Sequence, residues 1–156
     1  MEQQQARIRR AVREDLPAVV ALLADDPLAE HRETAGEPLP EGYYDAFEEI
    51  EADPNQYLLV ADIDGRIVGT LQLSILPNLT YGGRRRAQIE GVRIAAEARG
   101  RGIGRALVEQ AKAMAIAARC HMLQLTTNRQ RPQAVRFYER LGFVDSHHGL
   151  KLYLQE

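Results

Sequence analysis

The stretch IEGVRIAAEARGRGIGRALVEQA, Ile89–Ala111, decides how this chain is read. An alternating run, AQIEGVRI, passes through AAEARGR into a helical pattern from Gly102 to about Arg119. In that pattern Ile103, Leu107, Ala111, Met114 and Ala118 recur every three or four residues and form one buried stripe. Glycines at 100, 102 and 104 and arginines at 99, 101 and 105 crowd the start of the helix. A helix start carries unpaired backbone N–H groups and about half a positive charge. It binds anions where side chains leave room. Glycine removes Cβ atoms and permits unusual backbone angles, and arginine adds fixed charge. A pyrophosphate suits both, because it has two linked anionic groups that each accept several N–H bonds. The competing reading is a glycine-rich turn that packs the helix tightly on the strand. The dinucleotide fingerprint G-x-G-x-x-G fails by one position, since Arg105 stands where its last glycine belongs, and there is no G-K-[ST]. The pattern present is R-x-x-G-x-G, Arg99–Gly104.

Outward from this unit the chain alternates strands and helices. ARIRRA reads as a first strand. REDLPAVVALLADDP reads as a helix with Leu16, Val19, Val20 and Leu23 on one face and Glu14 or Asp15 in its first turn. AEHRETAGEPLPEG is a loop, and YYDAFEEIEADP is an acidic helix that stops before Pro54. QYLLVADI and RIVGTLQLSIL flank Asp64-Gly65, a hairpin signal. NLTYGGRRR is a turn. HMLQLTT is a strand, PQAVRFYERLG a short helix, and FVDS and LKLYL are candidate final strands. The order β-α-α-β-β-β-α-β-α-β-β predicts a mixed α/β domain over residues 1–156, antiparallel first, with a β-α-β unit in the middle.

Composition narrows the function classes. The chain has 156 residues, 45% hydrophobic and 27% charged, with a net charge of -2. No apolar run is long enough to span a membrane, and MEQQQARIRR lacks a signal-peptide core. A single cysteine, Cys120, makes a reducing cytoplasm the expectation, and its apolar neighbours favour a packing role over a reactive thiol. From Glu14 to Asp53 there are 13 acidic residues and one basic residue, Arg32; from Arg84 to Arg105 there are seven arginines against Glu90 and Glu97. The second cluster suits an anionic ligand, while the near-neutral total argues against a general nucleic-acid binder. The acidic stretch is either a field for a cationic substrate or a solvated helix face. No H-E-x-x-H or Cys/His spacing predicts a metal site.

VRIAAEARGRGIGRALVEQA resembles the acyl-CoA-binding motif of the GNAT superfamily of N-acetyltransferases, Q/R-x-x-G-x-G/A. AVRFYERLGF, Ala134–Phe143, resembles the family's later motif, a short helix carrying tyrosine followed by leucine, glycine and phenylalanine. The two matches cover about a third of the chain at the usual separation. The resemblance implies a mostly antiparallel sheet flanked by about four helices, with a V-shaped splay between two parallel strands that holds the pantetheine of acetyl-CoA. It implies cofactor contacts from Val92, Arg93 and Ile94, from Arg99, Gly100, Arg101, Gly102, Ile103, Gly104 and Arg105, and from Phe137. Many members carry asparagine seven residues before the tyrosine; here that position is Arg131, so either Asn128 returns to the site or Arg131 contacts phosphate.

The implied reaction moves an acetyl group from acetyl-CoA to a primary amine by direct attack, with no metal. An alkyl amine of pKa about 10.4 is neutral in roughly one molecule per few thousand at pH 7, a cost of about 4–5 kcal/mol, so a base is useful. Glu90 is the candidate, read as sharing a face with Val92 and Ile94 by strand alternation; the other reading pairs it with Arg93 or Arg84. Tyr138, the family's usual acid, is the candidate proton donor to the departing thiolate; the other reading packs it beside Phe137 and Phe143. His147, His148, Tyr43, Tyr44 and Tyr81 are minor candidates for the acceptor pocket. The acceptor is a small or protein amine, neither nucleic acid nor membrane is an expected partner, and a homodimer is compatible with the family. Two further readings remain: an acyl-CoA-binding regulatory module without turnover, and a nucleic-acid patch at Arg84, Arg85 and Arg86, which a solvated hairpin tip explains as well.

Overall fold

Asp64 and Gly65 fix the register of the sheet. Both adopt positive φ, 49° and 85°, as a two-residue turn between twisted strands requires, and Ile63 lies directly opposite Arg66. The computed structural model describes residues 4–29 and 32–155. In chain order these form β1 (Arg7–Arg10), α1 (Leu16–Ala24) after one 3-10 turn, α2 (Glu41–Ala52), β2 (Gln56–Ile63), β3 (Arg66–Leu76), a kinked helical turn α3 (Thr80–Gly83), β4 (Arg85–Ile94), α4 (Ile103–Ala117), β5 (Cys120–Gln124) and α5 (Pro132–Arg140). The strands lie in the order β1-β2-β3-β4-β5. The first three pairings are antiparallel and β4–β5 is parallel. A parallel step needs a crossover, and α4 supplies it. The fold is the expected mixed, mostly antiparallel α/β arrangement, with five helical segments where about four were expected.

Each face of the sheet has its own core. On one, α4 buries Ile103, Leu107, Val108, Ala111 and Ala115 against Leu71, Leu73, Ala87 and Ile89. Met114 and Ala118, expected in this stripe, are only partly buried. On the other face, Leu16, Val19 and Val20 of α1 and Phe47 of α2 cover Val60. Asp15 ties β1 to the start of α1. Its carboxylate accepts the Val12 amide at 2.8 Å and two Arg9 N–H groups at 2.7 and 3.0 Å. Those Arg9 hydrogen bonds hold the Asp15 carboxyl below its ordinary range.

The chain end departs from expectation. FVDS and LKLYL form no strand: residues 143–155 run without turn, bend or ladder partner. A strand exists only by pairing, and among the described residues this stretch touches its neighbours through side chains, Phe143 on Tyr138 and His148 on Arg129, without a ladder.

Candidate functional site

The parallel strands part where the resemblance implies they should. β4 and β5 pair from Arg85 with Cys120 to Gln88 with Gln124. There β5 ends, while β4 continues from Ile89 to Ile94 with β3 alone as its neighbour. The far edge of that stretch has no strand beside it among the described residues, the kind of edge on which an extended amide-bearing ligand lies as an added strand.

A bulge divides β4 in two. Leu73 faces Ile89 and Gln72 faces Glu90, but Thr70 faces Arg93, so Gly91 and Val92 share a single step of β3. Gly91 takes φ 63°, a value glycine adopts without steric cost. The bulge reverses the alternation. Val92 and Ile94 join Ala87 and Ile89 on the α4 side. Glu90 and Arg93 lie across from Gln72 and Thr70, and Thr70 lies across from Val60, on the side covered by α1 and α2. The expectation that Glu90 shares a face with Val92 and Ile94 is therefore corrected. Glu90 is exposed there and has no ion pair among the described residues; Arg93 bonds elsewhere.

The glycine-rich loop is at the surface. Gly100 and Gly102 have φ of 76° and 77°, with open space where a Cβ would stand. Gly102 caps α4 without any side-chain bond. The first helical hydrogen bond from the loop is Ala106 N–H to Gly102 C=O at 3.0 Å. This leaves the amides of Ile103, Gly104 and Arg105 without a backbone acceptor among the described residues. Arg99, Arg101 and Arg105 are exposed around them, while the Ile103 side chain is buried in the core. Gly104 does something different. A Cβ there would stand 3.2 Å from Cζ of Phe137, so this glycine admits α5 against the start of α4. The packing reading applies at Gly104, while Gly100 and Gly102 leave the loop open.

Phe137 and Tyr138 come in on α5, which opens with Pro132 where its missing N–H is not needed. Tyr138 stands edge-on to Phe137 at 5.0 Å and to Phe143 at 5.6 Å. Burial pushes its phenol up from the ordinary value, and the charges of Arg93 and Arg131 oppose that in part. Both arginines converge on one carboxylate. Asp26 Oδ2 accepts Arg93 at 2.9 Å and is also bonded by Arg131, with 3% of its side chain exposed. Burial alone would raise the Asp26 carboxyl; the Arg131 bond, the Leu28 amide and both guanidinium charges hold it below its usual range. Arg131 thus bonds Asp26 and lies close enough to Tyr138 for its charge to act on the phenol. Nothing in the sequence singled out Asp26, one carboxylate among 13 in the acidic stretch.

The remaining candidates scatter. The Asn128 side chain accepts the Gln130 amide at 2.9 Å, closing its own turn. His147 and His148 are exposed. Tyr43 donates to Glu33 at 3.2 Å, Tyr44 lies under Arg13, and Tyr81 stacks on His121 at 4.4 Å. Cys120 is partly buried against the core, and burial raises its thiol pKa. Among the described residues no group of His, Cys, Asp and Glu gathers as a metal site, and no helix is long and apolar enough to cross a membrane.

Known proteins share this arrangement. The family model for the acetyltransferase (GNAT) family matches residues 20–143. A glucosamine 6-phosphate N-acetyltransferase from Trypanosoma brucei brucei is 37% identical over 79 residues, 51% of this chain and 52% of that protein. The match thus spans about half the length of that curated relative. The crystal structure of a transcriptional regulator from Bacillus halodurans C-125 is 50% identical, with a TM-score of 0.93 over 96% of this chain and 99% of that one. A putative acetyltransferase from Agrobacterium tumefaciens str. C58 is 32% identical, with a TM-score of 0.83 over 95% of this chain and 99% of that one.

Proposed function

The chain belongs to the GNAT acetyltransferase family, and from that premise we propose that it transfers an acetyl group from acetyl-CoA to a primary amine in a ternary complex. The observation that carries the reading is the parting of β4 from β5 beside a glycine- and arginine-lined helix start. The pyrophosphate rests on the free amides of Ile103, Gly104 and Arg105 and near Arg99 and Arg101. The pantetheine lies along the unpaired edge of β4, where a backbone N–H near Val92 receives the thioester oxygen as charge develops on it.

The amine attacks the thioester carbon on the side lined by Glu90 and Arg93. Glu90 takes the ammonium proton, directly or through water; the C–N bond forms, the nitrogen gives its second proton to solvent, and the C–S bond breaks. Tyr138 gives its proton to the leaving sulfur. Its buried phenol stays protonated beyond the ordinary tyrosine range, so it is a donor at neutral pH. No covalent acyl-enzyme is needed, because the amine reaches the thioester itself.

The regulator from Bacillus halodurans favours a second reading, an acyl-CoA-binding module that acts without turnover. One experiment separates the two. CoA is titrated calorimetrically, and a panel of primary amines is then screened by thiol release. Saturable binding with release for at least one amine supports transfer, and binding with no release across the panel supports the regulatory module. Absence of binding removes both.

A further inference from the structure

More positive charge gathers beside Tyr138 than the protein itself neutralises. Arg93 lies 2.9 Å from Asp26 Oδ2, and Arg131 bonds the same oxygen. The other Asp26 oxygen accepts the Leu28 amide at 3.1 Å. Both oxygens are therefore occupied, and one carboxylate stands against two guanidinium groups. Arg32 adds a third whose charge acts on Arg93; it pairs with Glu33 at 3.5 Å, a carboxylate that also accepts the Tyr43 hydroxyl. The Arg93 side chain is only 19% exposed, and its Nε is buried without a partner among the described residues. Burial pushes this guanidinium below its ordinary range, and Arg131 and Arg32 push the same way, against Asp26 and Tyr138. A cation largely withdrawn from water is costly unless an anion meets it.

Position selects the ligand that brings that anion. The bulge puts Glu90 and Arg93 on one side of β4, opposite Gln72 and Thr70, about 7 Å apart along the strand. The charges of Arg93 and Arg131 reach the Tyr138 phenol. The start of α4 packs on the other face of the sheet, with Val92 and Ile94, so a diphosphate held there does not face Arg93. Pantetheine is uncharged. The acceptor is the ligand left to supply the charge.

We propose that the acceptor amine carries an oxyanion, a carboxylate or a phosphate, which Arg93 and Arg131 bind while its ammonium faces Glu90. This rests on the transfer reading and reverses the cationic acceptor suggested by the acidic stretch, since Asp26 and Glu33 of that stretch are already taken by arginines. The planar guanidinium fork matches both oxyanions.

The test compares amines that differ by one oxyanion: γ-aminobutyrate with the corresponding amino alcohol, and phosphoethanolamine with ethanolamine. Putrescine is the cationic control, and acetyl-CoA is saturating, so that the start of α4 is occupied. In thiol release, kcat/KM is expected to be at least about tenfold higher for the oxyanionic member of one pair, the size of one charge-assisted contact. The pair that separates tells carboxylate from phosphate. Arg131→Gln is expected to erase the preference through KM for the amine, with KM for acetyl-CoA changed less than about twofold, and Arg131→Lys to restore part of it. A structural role alone would lower both members of a pair alike. Equal rates within both pairs, or a preference for putrescine, overturn the proposal. If no amine releases thiol, the transfer reading falls, and calorimetry of the CoA complex decides the site. Binding of an oxyanionic amine that its uncharged partner lacks and Arg131→Gln weakens upholds it; absence of such binding overturns it.

Discussion

Asp26 Oδ2 and the guanidinium of Arg93 lie 2.9 Å apart, joining the loop after α1 to the part of β4 beyond its bulge. Arg131 at the start of α5 bonds the same oxygen. One carboxylate therefore holds three elements that converge on Tyr138, and its removal leaves two neighbouring cations without their shared partner.

Asp26→Ala is accordingly expected to destabilise the protein by about 3 kcal/mol, in the range for breaking one side of a buried ion pair. Urea unfolding measures it. A loss under about 0.5 kcal/mol, the size of an ordinary surface substitution, would show that solvent replaces the carboxylate.

Asp15 and Asp26 both have carboxyls held below their ordinary range in the folded protein. A depressed folded pKa contributes stability above the unfolded value, and that stability is lost as pH falls through the folded one. Stability from these groups is expected to be level between about pH 7 and 5 and to decline below it. Asp15→Asn and Asp26→Asn are each expected to flatten that decline when urea midpoints are followed from pH 7 to 3.

Tyr138→Phe keeps the ring that stands against Phe137 and Phe143 and removes only the proton donor. Turnover is expected to fall by roughly a hundredfold, with CoA affinity changed less than about twofold, well under 1 kcal/mol. Because burial raises the phenol, the wild-type rate is not expected to decline through Tyr138 ionisation below about pH 10. Equal turnover in mutant and wild type would leave this tyrosine a packing residue.

Gly104 and Gly102 are expected to fail in different ways. Gly104→Val pushes a side chain into Phe137 and is expected to cost about 1–3 kcal/mol by overpacking, with partial relief from Phe137→Leu. Gly102→Ala meets open space but a φ of 77°, a backbone cost of about 1 kcal/mol that Phe137→Leu leaves unchanged. Thermal unfolding of the four proteins reads the difference.

Much of this architecture was legible in the chain. β2 and β3 follow the written bounds Gln56–Ile63 and Arg66–Leu76, because alternation and Asp64-Gly65 are local signals. The helix start at Gly102 was legible for the same reason. Strand pairing at the chain end was not, since Leu150–Leu154 has the alternation of a strand but joins no ladder among the described residues. The expected shared face of Glu90 with Val92 and Ile94 failed by counting in twos through Gly91. A glycine inside a strand pattern is itself the mark of a bulge, so the signal was there. Asp26 gave no such mark, because its partners come from Arg93 and Arg131, far along the chain.

The extra residue at Gly91 fixes a phase. Upstream of it odd positions face α4, and downstream even ones do. Removing Gly91 would leave a regular ladder with Arg93 and Ile94 on their present sides, whereas one further residue in the ladder would put Arg93 in oil and Ile94 in water. This stretch of β4 therefore tolerates the loss of its bulge residue better than the gain of another, and a homologue one residue shorter here aligns with its gap at Gly91.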